Sequence, residues 1–443
     1  MDILIKVVQF FMSLSLLVII HELGHFLAAR MFGIRVEKFY LFFDPWFSIF
    51  KFRRGQTEYG MGWLPLGGYV KIAGMIDESM DTEQMAAEPQ PDEFRSKPAW
   101  QRLIVMVAGV VMNVVLAFLI YCGICYHWGE PYLPVEDAQW GFIWNDEGHA
   151  LGFEDGDKVL SIGGEKIEEV DQIVNALLIT SEDREVVVER EGAEHSFTIP
   201  LEQLVEMRQR EGYKGMYSMR MPFEIDSIDS ESALAAGLQR GDRLVALNGE
   251  KMLYFDQYMR ALPDLAGQSV MLGIERDSAD VVLSREVEVT LSDEGKIGVL
   301  ARYPFEVRMR NYTLLESIPA GLRLTGEEIS GYWKQIKTIV VPESKLYEEL
   351  GGFLSIGNVF PDEWDWERFW RTTALLSVIL AVMNILPIPA LDGGHVLFLL
   401  WEVITRRKPS DKFLEYAQMF GLVVLFALLL YANGNDIYRL FIK

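Results

Sequence analysis

The sequence predicts a polytopic α-helical membrane protein with four transmembrane helices, a membrane-associated β-hairpin region and two repeated extracytoplasmic α+β domains. Half of the 443 residues are hydrophobic although 24% are charged, so the two kinds must be segregated along the chain. Residues 128–370 hold 47 of the 64 acidic and 23 of the 41 basic residues, a net charge of −24. An acidic region of this size disfavours anionic partners, and we expect neither nucleic acid nor nucleotide to bind.

Four segments approach the roughly 20 apolar residues that cross a bilayer. They are about Ile3–Phe32, Leu103–Tyr126, Thr372–Leu391 and Phe413–Tyr431. The first is too long for a signal peptide and has a polar cluster where a cleavage site would lie. Basic residues are concentrated after the first span and between spans three and four. Both loops are therefore expected in the cytoplasm, which leaves residues 128–370 and both termini outside.

The first span contains the polar cluster His21-Glu22-Leu23-Gly24-His25. On a helix the two imidazoles lie one turn apart on the same side. They can hold one zinc ion, with Glu22 placed to take a proton from zinc-bound water. Ionisable residues are costly to bury in a membrane, so we expect a functional site. The alternative is a pair of core histidines that match the spacing by chance.

A second polar cluster ends the third span, in the stretch NILPIPALDGGH at residues 384–395. Its two prolines break the helix and free backbone carbonyls. Helix rise places His21 about 27 Å and Asp392 about 30 Å from the outer face, so both reach one level near the cytoplasmic side. His21, His25 and Asp392 would then supply three zinc ligands and leave a fourth position for water. His395 is the competing third ligand, and a helix-cap or turn carboxylate is the alternative for Asp392.

Residues 34–74 combine β-branched and aromatic residues with Gly and Pro, which predicts short strands and hairpins. The tip Trp63-Leu64-Pro65-Leu66 is too apolar for a solvated loop. We expect it to dip into the active-site cavity and to offer a strand edge to an extended peptide. A soluble hairpin packed on the membrane face is the alternative. Residues 77–97 are acidic and poor in aromatics, which is typical of a flexible loop.

The outer region contains an internal repeat with an offset of 85 residues. The stretch GFEDGDKVLSIGGE at 152–165 aligns with GLQRGDRLVALNGE at 237–250. Each copy has a Gly-Asp turn, a short apolar strand and a second glycine turn, followed by an expected helix and further strands. This pattern resembles the PDZ domain, so we expect two PDZ-like α+β domains. Such modules bind an extended segment at a sheet edge; two spacers that bind nothing are the alternative.

Taken together, these motifs resemble the site-2 protease family of intramembrane zinc metalloproteases, in its bacterial branch. The stretches GYVKIAG at 68–74, AGVVMN at 108–113 and LGGFLSIG at 350–357 extend the match nearly end to end. One departure is Val110, where relatives usually have proline. The absence of proline bears on whether the helix is kinked at that position, and it does not affect the predicted chemistry.

The resemblance implies one zinc ion per chain, held by His21, His25 and Asp392, with Glu22 as the catalytic base. It also implies that residues 60–70 form a membrane-reentrant β-loop. The residues from which we expect substrate contacts are Asn384, Gly60, Gly62, Leu64, Pro65, Pro387 and Pro389. Substrates would be single-span membrane proteins already trimmed outside, such as anti-sigma factors and remnant signal peptides. The location would be the bacterial inner membrane, with the PDZ-like domains outside and the active site toward the cytoplasm.

The predicted function is therefore regulated intramembrane proteolysis, with the PDZ-like domains filtering substrates by size. A membrane-embedded metal transporter or sensor would need neither Glu22 between the histidines nor two peptide-binding modules. An inactive PDZ scaffold would not need the complete ligand set. Cys122 and Cys125 form a C-x-x-C at the outer end of the second span. We expect packed thiols there, with a redox or metal role as the alternative.

The predicted organisation has ten parts in chain order. They are the first transmembrane helix (1–33), the reentrant β region (34–76), a cytoplasmic loop (77–102), the second transmembrane helix (103–127), the first (128–205) and second (206–305) PDZ-like domains, extracytoplasmic connecting helices (306–371), the third transmembrane segment (372–395), a second cytoplasmic loop (396–412), and the fourth transmembrane helix with the C-terminal tail (413–443).

Overall fold

The computed structural model describes residues 2–75, 88–278 and 281–442. Most of the predicted cytoplasmic loop at 77–97 lies outside the described residues, since its positions 77–87 are not among them. The chain divides into two units. We call residues 1–130 with 310–443 the membrane unit, and Pro131–Met309 the inserted unit.

The N-terminal part of the membrane unit consists of two long helices separated by a β ribbon. These elements are helix α1 (Asp2–Met31), strands β1 (Val36–Arg54) and β2 (Thr57–Ile72), and helix α2 (Ala99–His127). Pro98 precedes the first residue of α2, a position where the missing N–H of proline costs nothing. Both helices consist largely of Leu, Ile, Val, Ala and Phe, so they suit an apolar environment.

The β ribbon is folded more tightly than the short hairpins that the sequence predicts. Its turn lies at Gly55-Gln56, and residues 48–54 pair with 57–62. Residues 38–41 oppose both 58–61 and 68–71, so the strand segments follow the order 48–54, 57–62, 36–41 and 68–72. The predicted tip at residues 63–66 therefore lies inside β2, where its two paired halves meet. Pairings that skip 20 or more residues give no local sequence signal, which is why the turn was misplaced.

The first half of the inserted unit contains the first copy of the repeat. Strand β3 (Glu130–Tyr132) lies where the chain enters the unit. The elements that follow are β4 (Phe142–Trp144), α3 (Asp146–Ala150), β5 (Lys158–Ile162), β6 (Glu165–Lys166), α4 (Gln172–Leu178), β7 (Arg184–Arg190), β8 (Ala193–Ile199), α5 (Leu201–Gln209) and β9 (Tyr217–Met219). Four strands form a sheet in the order β6-β5-β7-β8, and β4 pairs with β9.

The second half contains the second copy. Its elements are β10 (Phe223–Ile228), α6 (Glu231–Ala235), β11 (Arg243–Leu247), β12 (Glu250–Lys251), α7 (Phe255–Ala261), β13 (Ser269–Ser278), β14 (Val281–Thr290) and β15 (Val299–Ala301). The sheet has the order β14-β13-β11-β10-β15, with β12 paired to β11. The bounds of α6, β11 and β12 lie 85 residues after those of α3, β5 and β6. The structure thus repeats with the offset found in the sequence.

The Gly-Asp turn of each copy holds a buried ion pair at the same position. Asp157 accepts hydrogen bonds from Arg190 at 2.7 and 2.8 Å. Asp242 accepts the corresponding bonds from Arg276 at 2.6 and 2.7 Å. Both aspartates are fully buried, so each requires a bidentate arginine partner. The pair ties the turn to β7 in the first copy and to β13 in the second.

Each copy has its own hydrophobic core. Phe142, Trp144 and Phe153 are central to the first, where the rings of Trp144 and Phe153 stack 3.8 Å apart. The same core includes Met216 and Met219, because β9 pairs with β4. The first copy therefore extends beyond residue 205, where the sequence analysis ends the first domain. The second core is a separate cluster that includes Tyr258 and Leu272.

Charged contacts join the two copies. Arg260 pairs with Asp155 at 2.7 Å. Arg220 pairs with the buried Asp256 at 3.1 Å and stacks over the ring of Tyr254 at 4.0 Å. Arg220 also donates to the carbonyl oxygen of Asp155. Two copies with independent cores are thereby held in one compact unit.

The C-terminal part of the chain returns to the membrane unit. Its elements are β16 (Arg308–Arg310) at the junction, followed by α8 (Leu314–Val340), α9 (Phe353–Asn358), α10 (Trp366–Ile385), α11 (Asp392–Thr405) and α12 (Asp411–Ile442). A capping box formed by Thr313 and Glu316 begins α8, as the pattern Thr-x-x-Glu predicts. Both cysteines on α2 are free thiols, and Cys125 is buried. A side chain at Gly321 of α8 would collide with Cys122, so that thiol is packed between helices.

In the part of the chain that the structure describes, three helices are long and apolar enough to cross a bilayer. They are Leu4–Met31, Ala99–His127 and Lys412–Leu440, which correspond to the first, second and fourth predicted spans. The third predicted span, Thr372–Leu391, is helical only as far as Ile385, where α10 ends, and α11 begins directly after the span at Asp392. Pro387 and Pro389 lie in the connection, because proline has no N–H to continue a helical ladder.

Candidate metal centre

The two histidines of the first span lie close to Asp392 in the fold. The Nε2 atoms of His21 and His25 are 3.2 Å apart on one face of α1. Asp392 is the first residue of α11, and its Oδ2 lies 3.1 Å from His21 Nε2 and 3.3 Å from His25 Nε2. Folding thus brings these three predicted metal-site residues together from opposite ends of the chain.

The spacing of these three atoms fits a tetrahedral metal ion. Bonds of about 2.0–2.1 Å to three donors of a tetrahedral zinc separate those donors by about 3.3 Å, close to the distances between these atoms. Asp392 Oδ2 is a buried oxygen without a well-formed hydrogen bond, and a cation would stabilise it. The residue before it, Leu391, is the N-cap of α11, which has no side-chain cap. The carboxylate therefore faces the histidines and does not cap its helix.

Helix α2 contacts the outer nitrogen of each imidazole. His25 Nδ1 lies 2.8 Å from the carbonyl oxygen of Val105. His21 Nδ1 lies 3.2 Å from the amide Nδ2 of Asn113. The sequence analysis assigned no role to either group. A backbone carbonyl group cannot be recognised in a sequence. Asn113 could have been recognised, because it is a polar residue that ends the matched stretch AGVVMN.

Two glycines allow α1 and α2 to approach at this point. A Cβ on Gly24 would lie 2.3 Å from the carbonyl oxygen of Ala108. A Cβ on Gly109 would lie 2.4 Å from His25 Nε2 and 2.8 Å from a ring carbon of His21. Any larger residue at either position would push the helices or the imidazoles apart. α2 itself continues as one helix through Val110, the position at which the sequence departs from its relatives.

The three residues open into a cavity of about 950 Å³. Glu22 lines it beside the histidines, as does Val70 of β2. Gly67, Gly68 and Tyr69 of β2 form part of its wall. The candidate base, the candidate metal ligands and one segment of the β ribbon therefore share one space.

The remaining predicted site residues are divided between the cavity and its surroundings. Asn384 lines the cavity, with Nδ2 3.4 Å from His21 Nε2, and Leu64 lines it as well. His395 also lines it, but the group of three mutually close ligand atoms does not include this histidine. The lining does not include Gly60, Gly62, Pro65, Pro387 or Pro389.

Gly60 and Gly62 of β2 have packing roles in the ribbon. A Cβ on Gly60 would lie 2.5 Å from the ring of Tyr40. A Cβ on Gly62 would lie 2.0 Å from the carbonyl oxygen of Phe43. Both positions must therefore be glycine for the ribbon to close. Their contact with substrate stays a prediction.

Comparison with known sequences agrees with this geometry. A family model described as peptidase family M50 matches residues 9–428. The chain belongs to peptidase family M50. This is the site-2 protease family that the motifs resemble, so the prediction of an intramembrane zinc metalloprotease is confirmed.

Individual relatives match the M50 peptidase over its whole length. Protease RseP of Yersinia pestis is 28% identical over 99% of this chain and 100% of its own. The regulator of sigma E protease of Haemophilus influenzae is 29% identical over 98% of both chains. A relative from Vibrio cholerae named as a zinc metalloprotease is 28% identical over 99% of this chain and 100% of its own. These relatives and the long apolar helices identify a bacterial inner-membrane protein.

Proposed function

We propose that this M50 peptidase cleaves single-span membrane proteins within the membrane, using one zinc ion bound by His21, His25 and Asp392. The observation that carries the proposal is the triangle of donor atoms with sides of 3.1–3.3 Å beside Glu22. A metal transporter or sensor would not need a carboxylate at Glu22. An inactive scaffold would not need to keep three ligand atoms in tetrahedral spacing.

The mechanism follows from the groups around the cavity. When bound, the metal supplies a Lewis acid and makes water more acidic. Glu22 takes the proton of the attacking water on its carboxylate and passes it to the leaving amide nitrogen. Asn384 donates its amide N–H to the substrate backbone, since its Nδ2 lies beside His21.

The substrate would bind as an extended strand. A transmembrane helix makes all of its backbone hydrogen bonds internally, so it must unwind before it is cut. Among the described strands, residues 68–72 pair with 36–41 on one side only, and this segment lines the cavity. By contrast, residues 57–62 have partners on both sides. We therefore propose that the substrate pairs as an added strand with residues 68–72. Leu64 and Pro65 lie beside this segment, and Gly60 and Gly62 shape the ribbon behind it.

The membrane arrangement that we propose has four spans. The first, second and fourth are α1, α2 and α12, and α10 with the broken segment at Pro387 and Pro389 forms the third. Basic residues after the first span and before the last place those loops in the cytoplasm. Trp46, Phe47 and Ile49 expose large apolar side chains, which suits a ribbon that enters the bilayer. The metal site then lies toward the cytoplasm and the inserted unit outside.

The inserted unit consists, in this proposal, of two PDZ-like domains that filter substrates by size. Its two copies share the Gly-Asp turn and one strand order, β6-β5-β7-β8 in the first and β12-β11-β13-β14 in the second. The Haemophilus relative is named a regulator of sigma E protease. By analogy, trimmed anti-sigma factors and remnant signal peptides are the proposed substrates, with the lipid bilayer as the other partner.

Co-expression with a trimmed single-span test protein tests the proposal. The native chain should cleave the test protein, and Glu22→Gln should abolish cleavage while one zinc per chain remains bound. His21→Ala and Asp392→Ala should lose both zinc and cleavage. His127→Ala, which removes a histidine at the end of α2, is the control and should retain both. Zinc at full stoichiometry in Asp392→Ala would remove Asp392 from the ligand set and favour His395.

A further inference from the structure

The side chain of Asn113 has an unmet hydrogen-bonding requirement beside the metal centre. It is completely buried on α2. Its Nδ2 lies 3.2 Å from His21 Nδ1, and its Oδ1 has no partner. An amide oxygen that is buried without a hydrogen-bond partner destabilises the fold. In its present orientation the amide thus donates toward the histidine and leaves its own acceptor unused.

Metal binding changes the kind of hydrogen-bond partner that His21 Nδ1 needs from Asn113. An imidazole that gives Nε2 to a metal carries its remaining proton on Nδ1, which becomes a donor. The NH₂ group of Asn113 cannot accept that proton, but its Oδ1 can. A half-turn of the amide about its last torsion exchanges Oδ1 and Nδ2. This one rotation pairs the buried oxygen with His21 Nδ1–H and turns the NH₂ group to the side on which Oδ1 now lies.

The second histidine already has the corresponding partner. His25 Nδ1 faces the carbonyl oxygen of Val105 at 2.8 Å. Val105, Gly109 and Asn113 are spaced four residues apart, so they lie on one face of α2. This face supplies an acceptor for each imidazole, and Gly109 leaves room for both rings between them. Asn113 is neutral, so it meets the requirement without adding a charge at membrane depth.

We propose that Asn113 is a positioning residue that holds His21 for zinc by accepting the Nδ1 proton on its amide oxygen. The inference rests on the proposed function, because it takes His21 as a ligand. It assigns a task to one residue of α2 that touches neither the metal nor the substrate. Removing such an outer partner typically weakens metal binding 10- to 100-fold.

Zinc affinity of the purified full chain, measured by competition with a chelator, tests this. Asn113→Leu removes the acceptor at similar volume and should weaken zinc binding by about 10- to 100-fold. Asn113→Asp keeps an acceptor in the same place and should remain within about threefold of the native chain. Ser377→Ala is the matched control. It removes a buried hydroxyl that donates to the backbone carbonyl of Asn113 at 2.8 Å, and it should leave the affinity unchanged.

The outcomes separate this inference from the function on which it rests. A native affinity in Asn113→Leu, with zinc binding still abolished by His21→Ala, would overturn the positioning role alone. Full zinc binding by His21→Ala would overturn the ligand assignment itself. If Asn113 were only a packing residue, Asn113→Leu would lower the unfolding temperature of the metal-free protein without changing zinc affinity. If the leucine variant does not fold, Asn113→Ala is measured in its place. A native zinc affinity in Asn113→Ala would also overturn the positioning role.

Discussion

Arg102 on α2 and Glu402 on α11 form an ion pair of which only 9% and 16% of the side chains are exposed. Arg102 also donates to the carbonyl oxygen of Lys97 at 3.0 Å. α11 begins with Asp392, and α2 contacts both histidines. The pair therefore fixes the helix that carries the carboxylate against the helix that orients the imidazoles.

Glu402→Gln should destabilise the protein and weaken its metal site. The substitution leaves a nearly buried guanidinium without its counter-charge, and breaking such a pair costs about 3 kcal/mol. Thermal unfolding and zinc affinity of the purified chain measure the two effects. Glu327→Gln is the comparison, because Glu327 pairs with Arg323 on the exposed surface of α8, where a pair is worth about 1 kcal/mol or less. Equal unfolding shifts in the two variants would show that Arg102–Glu402 has no special role.

Gly109→Ala should reduce zinc affinity sharply. The added methyl group would lie 2.4 Å from His25 Nε2, so the imidazole or the helix must move. Gly123→Ala on the same helix is the control, since a Cβ there meets no atom within 4 Å. That change should leave zinc binding intact and stabilise α2 by about 0.5–1 kcal/mol. Unchanged affinity in Gly109→Ala would mean that the close approach of the two helices is not required.

Asp155 makes the contact between the two repeat copies dependent on pH. Burial raises the pKa of this carboxyl group, but its bonds from the Trp144 N–H and from Arg260 outweigh burial, and the net pKa is lowered. A carboxyl group whose pKa is lower in the folded state stabilises the fold above its ordinary pKa, about 3.9. That contribution is lost as the pH falls through the folded value.

Asp155→Asn should therefore destabilise the protein at pH 7, and the difference from the native chain should shrink toward pH 3. Thermal unfolding at a series of pH values measures this. Asp229→Asn replaces an exposed carboxylate of the same unit and should give little change at any pH. A difference between native and Asp155→Asn proteins that stays constant down to pH 3 would contradict the assignment.

The proposed topology predicts the labelling of introduced cysteines. Gln90→Cys and Lys408→Cys, in a chain with Cys122 and Cys125 replaced by serine, should resist impermeant thiol reagents in intact cells. Asp229→Cys in the inserted unit should react readily, because that unit is placed outside. Ready labelling at position 90 or 408 would invert the arrangement and put the metal site near the outer face.

The clustering of His21, His25 and Asp392 could be predicted from the sequence because each part has a local signal. His21 and His25 are one helical turn apart, and Asp392 is a carboxylate at membrane depth after two prolines. The rise per residue of a helix then placed His21 and Asp392 at the same depth in the membrane. The repeat was equally accessible, since glycines and apolar strands recur after 85 residues.

What the sequence could not give depends on contacts between distant segments. The contact of Asn113 with His21 exists only once α2 packs against α1. Residues 38–41 pair with both 58–61 and 68–71, so two segments of β2 must lie on opposite sides of one segment of β1. Pro387 and Pro389 predicted the end of α10, but the sequence did not show that α11 runs from Asp392 to Thr405, through most of the predicted cytoplasmic loop at 396–412. Local patterns fix the type of an element, whereas these features depend on tertiary packing.

The last prediction concerns the inserted unit, which can be removed without straining the chain. Residues Glu130 and Arg310 flank it and lie close together, with 3.9 Å between their charged groups. A Cβ on Gly129 would lie 2.7 Å from the carbonyl oxygen of Arg310. A short linker can therefore replace residues 131–309, the whole inserted unit. The hydrophobic clusters of the two units share no residue among those that the structure describes, so the deletion leaves the clusters of the membrane unit complete.

Deleting this unit should retain cleavage of a trimmed substrate and add cleavage of an untrimmed one. Single-span helices are abundant in any membrane, and a site that binds an unwound strand discriminates poorly between them. A size filter rejects bulky outer domains without any affinity for them. The same deletion carrying Glu22→Gln is the control for background proteolysis, and zinc content shows whether the shortened chain is folded. If the deletion binds zinc and cleaves the trimmed substrate but still spares the untrimmed one, size exclusion is wrong, and the unit recruits substrate or only spaces the chain.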